Sequence, residues 1–128
     1  MTDVSKTIAL RTQLQILLKT LTTNVYYEEA LDTAIQYLVY ELSEITRDYG
    51  RVLLQLEINI LDYGSSSTVA EILADNVQKA LNKYHFINTY IQFTLYEGSR
   101  NTIKEDDKQI IRRRLLFEVH LHELKGEN

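Results

Sequence analysis

The sequence predicts an α+β domain, an antiparallel sheet of about four strands with two helices packed on one face. Three observations predict it. Residues 4–21 and the segment from Thr68 to Leu81 carry apolar side chains at helical spacing. Other segments alternate apolar and polar residues with period two, most plainly Val52 to Leu61. Short turn signals such as Asp48-Tyr49-Gly50 separate neighbouring extended segments and favour antiparallel pairing. A chain of 128 residues, 45% hydrophobic and 25% charged, has the size and composition of one soluble domain, here residues 1–128. At that length a single core can bury roughly two-thirds of the unfolded surface, so folding requires no metal or disulfide.

Taken in order, the first helix carries Val4, Leu10, Leu14, Leu17, Leu18 and Leu21 near one face, with Lys6, Arg11, Gln13, Gln15 and Lys19 over much of the rest. Thr22-Thr23-Asn24 has low helix propensity and ends it. Val25 to Glu28 is a short extended piece, and Tyr37 to Leu42 reads as a strand of aromatic and branched residues. In the next strand Val52, Leu54, Leu56, Ile58 and Ile60 point one way, and Gln55, Glu57 and Asn59 the other. A slip of one residue would bury the polar set, so the register is well specified. After a Gly-Ser loop, Thr68 and Glu71 have the spacing of a capping box, with Val69, Ile72, Leu73, Val77, Ala80 and Leu81 as the apolar stripe. Asn82 to His85 ends that helix. Tyr90 to Tyr96 alternates again, Gly98 opens a charged loop to about Gln109, and Ile110 to Leu124 forms the last strand with Leu115, Phe117, Val119 and Leu121 inward.

The composition excludes several classes of function. With no cysteine there is no disulfide framework, thiolate metal site or cysteine nucleophile. A net charge of −4 disfavours non-specific nucleic-acid binding, and direct nucleic-acid recognition is not expected. No apolar run approaches the ~20 residues of a membrane span, so no membrane partner is expected. His120 and His122 share a strand face with Glu118, but two imidazoles on one strand do not make a metal site. Gly64 to Thr68 lacks the lysine and glycine spacing of a phosphate loop, and neither Gly-x-Ser-x-Gly nor His-Glu-x-x-His occurs. No catalytic residue, metal or cofactor is expected. Candidate interface residues remain: Arg100, Lys104, Glu105, Asp106, Asp107, Arg112 and Arg114. Arg112 and Arg114 should face one side of a strand and Arg113 the other, which divides the basic cluster and argues against a single anion pocket.

Several segments in order resemble the tail terminator (tail completion) family of long-tailed bacteriophages. They are the N-terminal amphipathic helix, Val25-Tyr26-Tyr27, Tyr37 to Leu42, Leu54 to Asp62, Ile72 to Val77, and the acid-rich loop leading into Ile110-Ile111-Arg112-Arg113. Gln36 stands where family members often carry proline. The resemblance implies a small subunit of a hexameric ring, formed in solution or only on the tail. The ring caps the tail tube, ends its polymerisation and offers the docking face for the head. It implies the major tail tube protein and a head-completion (neck) protein as partners. It implies synthesis in the host cytoplasm and a final place in the virion at the tail–head junction. The alternatives are a head-completion or neck protein, or an unrelated cytosolic protein-binding module.

Overall fold

The computed structural model describes residues 5–22, 24–28, 36–63, 68–104 and 110–124. In chain order the elements are α1 (Lys6–Lys19), β1 (Val25–Tyr27), β2 (Gln36–Asp48), β3 (Arg51–Tyr63), α2 (Thr68–Leu81), β4 (His85–Ile87), β5 (Ile91–Ile103) and β6 (Ile110–Glu123). The strands form one six-stranded sheet in the order β1-β2-β3-β6-β5-β4. Four long strands make two hairpins, β2–β3 and β5–β6, joined antiparallel along β3 and β6.

This corrects the expected sheet. It has six strands rather than about four, and it is mixed, because β1 pairs with β2 in parallel. Both additions are three residues long, too short to carry a period, and β4 follows directly on the turn that ends α2. The parallel pair is held by Leu38 N–H to Asn24 O at 2.8 Å and Glu28 N–H to Tyr40 O at 2.8 Å. The expected loop from Gly98 is also corrected, since β5 continues to Ile103. A bulge between Glu97 and Arg100 resets the alternation there and hides the strand from a period-two reading. Gly98 is required at this bulge, because a Cβ would lie 2.7 Å from Leu116 O.

One contiguous core lies between the sheet and the helices. The inward row of β3, Leu54 to Ile60, packs with Leu115, Phe117, Val119 and Leu121 of β6 and Ile91, Phe93 and Leu95 of β5. Each such side chain gains roughly 1.5–3 kcal/mol by leaving water, against the entropy of ordering it. Leu10, Leu14 and Leu18 bring α1 to this core at i, i+4, i+8 spacing. Ser5 caps α1 by accepting from Ile8 N–H at 3.2 Å. The buried stripe of α2 is Ala70, Leu73, Ala74, Val77 and Leu81, whereas Val69 and Ile72, expected inward, are exposed. The small Ala70 and Ala74 face the sheet and let the helix backbone approach it closely.

The β2–β3 turn is tight. Tyr49 and Gly50 have φ of 48° and 82°, the double positive φ that a two-residue type I′ hairpin needs. Glu123 N–H donates to Gly50 O at 2.7 Å, which ties this tip to the end of β6.

Candidate assembly surface

The pleat sends alternate residues of the central strands to opposite faces, and the three consecutive arginines of β6 are divided accordingly. Arg113 pairs across to Ile60 and Thr102 and points to the helix side. There its Nε donates to Glu71 Oε1 of α2. Arg100, just past the β5 bulge, reaches the same helix. Its Nη2 donates to Glu71 Oε2 at 2.9 Å, and its Nη1 to Asp75 Oδ1 at 2.7 Å and Gln78 Oε1 at 3.0 Å. The guanidinium of Arg100, expected at an interface, is therefore directed to its own chain as a clamp on α2. Both Glu71 oxygens accept from these arginines. The hydrogen bond from Arg113, then the charges of Arg113 and Arg100, hold the Glu71 carboxyl below its ordinary pKa.

Arg112 and Arg114 lie on the opposite, helix-free face. Arg112 Nε donates to Asn59 Oδ1 at 3.0 Å, Asn59 Nδ2 to Glu57 Oε2 at 2.9 Å, and Arg114 Nη2 to Glu57 Oε1 at 3.2 Å. Arg114 Nε is buried without a partner among the described residues. Glu41 sits directly across from Glu57, two like charges in one cross-strand pair. Beside them is an open depression of about 310 Å³ lined by Glu28, Tyr37, Glu41, Glu57, Asn59 and Arg112. Lys104 is exposed just past β5. Glu105, Asp106 and Asp107 lie outside the described residues.

The histidines share the helix-free face as well. His85 and His120 flank Thr94 in one row, with His85 Nδ1 2.8 Å from Thr94 Oγ1. His120 lies 3.2 Å from Glu118 and meets Tyr96 edge-on at 4.8 Å between ring centres. Among the described residues no group of three or more His, Asp or Glu is placed to hold a metal ion. On the helix side Tyr40 donates to Gln15 Oε1 at 2.7 Å, and burial raises its phenol to a pKa of about 12. Arg47, on β2, bridges Glu123 at 2.6 Å and Glu44 at 2.8 Å, and these hydrogen bonds raise its pKa further.

The helix-free face is thus a broad, half-buried lattice of charged and amide groups, suited to contact with another protein surface. Two features escaped the sequence reading. The Arg113–Glu71 pair joins residues far apart in the chain, and no local pattern announces it. Tyr49, 99% exposed at the hairpin tip, was readable only as part of a turn.

No family profile and no curated protein matches the chain. The fold is shared with a chain from the virion of a native gene transfer agent (GTA) particle. That match has a TM-score of 0.67 at 14% sequence identity and covers 88% of this chain and 91% of the other.

Proposed function

We propose that this chain is a structural protein of a phage-like virion that acts by binding other virion proteins. In finer detail, it is a tail terminator that caps the tail tube, ends its polymerisation and receives the head. The observation that carries the reading is the shared fold with a virion chain along nearly the whole length of both. The order of the terminator-like segments, from the N-terminal helix to the Ile110-Ile111-Arg112-Arg113 strand, supports the finer role. A helix-free sheet face of paired charges suits a binding protein, and no chemical step is assigned to it. The partners under this reading are further copies in a hexameric ring, the tail tube protein and a head-completion protein at the tail–head junction.

The test is electron microscopy of particles produced after the reading frame is inactivated in the genome that carries it. Full heads beside unattached, overlong tails are expected. Tail-less heads to which the protein itself stays bound would move the role to head completion. Normal joined particles would overturn the virion reading and favour a cytosolic binding module.

A further inference from the structure

We propose that copies of this chain join head to tail through the two edges of the sheet, each copy's short outer strand filling the step on its neighbour's edge. This deepens the ring reading above and rests on it only for closure of the row into a ring. The contact itself follows from the pairing register.

Strand β3 serves as a ruler. β1 covers only Leu38 to Tyr40 of β2, which lie in the rows of Ile60 to Ile58. β4 covers only Gln92 to Thr94 of β5, which register through His122 to His120 onto Arg51 to Leu53. The short strands therefore sit at opposite ends of opposite edges. Beyond them, Thr46 to Asp48 of β2 and Arg100 to Ile103 of β5 pair with no strand on their outer side among the described residues. Such open backbone is a template for strand addition.

The open stretches and the short strands occupy the same rows. Arg100, Asn101 and Thr102 register through Leu115, Arg114 and Arg113 onto Ile58, Asn59 and Ile60, the rows of Tyr27, Tyr26 and Val25. Thr46, Arg47 and Asp48 share the rows of His85, Phe86 and Ile87. A neighbour displaced sideways, with no slide along the strands, brings β1 beside Arg100 to Thr102 and β4 beside Thr46 to Asp48. The directions also agree: β1 runs opposite to β5, and β4 runs with β2, so one contact is antiparallel and the other parallel. Each of the two stretches lies just past a bulge, the one after Glu44 and the one after Glu97. A head-to-tail contact uses both steps of every copy. A two-fold contact between like edges would leave the other edge of each copy open.

The chain has no native cysteine, so the contact can be tested by oxidative cross-linking. Tyr26 of one copy would face Asn101 of the next on the helix-free side, and His85 would face Thr46. The full chain carrying Tyr26→Cys with Asn101→Cys, and separately Thr46→Cys with His85→Cys, would be oxidised at high protein concentration. Each pair is expected to give a ladder of dimers, trimers and larger species. Each single variant should stop at dimers, and Tyr49→Cys with Asn101→Cys should give no ladder. No ladder from either pair, or a dimer-only product from Tyr26→Cys with Thr46→Cys, would overturn the proposal. The outcome is separable from the virion reading. A ladder with normal particles after gene inactivation would remove that reading alone. Defective particles with no ladder would remove the edge contact alone.

Discussion

Replacing Glu71 tests whether α2 is held on the sheet by charge as well as by its apolar stripe. Arg113 is the more enclosed partner, at 12% side-chain exposure, while Glu71 is 42% exposed. Solvent around Glu71 screens the pair, so a coupling of about 1 kcal/mol is expected, at the upper end for exposed pairs. Removing the carboxylate alone should cost more, about 1–3 kcal/mol, because it leaves the guanidinium of Arg113 enclosed and short of an acceptor. The assay is a double-mutant cycle of Glu71→Ala and Arg113→Ala by urea denaturation. The pH dependence has a fixed sign. The folded-state pKa of Glu71 is depressed below its usual 4.5. Its stabilisation is therefore fully present above that value and is lost as pH falls through the folded-state pKa. A coupling of zero at pH 7, or one that survives unchanged into strong acid, would refute the clamp.

Three further outcomes are expected. Phe117→Ala, at a site 1% exposed within the core, should cost about 3–5 kcal/mol in urea denaturation. Gly98→Ala drives a methyl group to 2.7 Å from the carbonyl of Leu116, which as backbone cannot swing away. The expected loss is about 1–3 kcal/mol, read as a fall of several degrees in Tm by calorimetry. Tyr49→Asn places a residue tolerant of positive φ before Gly50, and should raise stability by about 0.5–1 kcal/mol in the same denaturation assay.

The legible parts of the fold were those with an undisturbed period. β3 alternates from Val52 to Ile60 and β6 from Leu115 to Leu121, and both rows lie buried where the alternation puts them. What interrupted the period was lost. The bulge in β5 moved Arg100 out of step, and the residues beyond Gly98 read as a charged loop. The three residues of β1 and of β4 carry no period at all. In α2 the apolar reading favoured Val69 and Ile72 over Ala70 and Ala74, because alanine adds little to a hydrophobic stripe although its small size is what permits close packing. At the candidate surface, strand geometry alone divided Arg112 and Arg114 from Arg113. The destination of each guanidinium depended on Glu57, Asn59 and Glu71, residues that only the folded chain brings near.

The seam between β3 and β6 carries a kinetic consequence. Each hairpin pairs two strands that follow one another in the chain, through contacts that are comparatively close in sequence. The seam instead joins residues as distant as Arg51 and His122 and is reached only after the intervening chain is gathered in. Closing that loop must precede the reward of pairing, so docking of the two hairpins should set the folding rate. Substitutions in the seam, such as at Leu56 or Phe117, should then slow folding, and so should those at the Tyr49–Gly50 tip, because its hairpin is already formed when docking occurs. Until the hairpins dock, β3 and β6 each present one unpaired edge, and crowded nascent chains are exposed to mispairing during that interval.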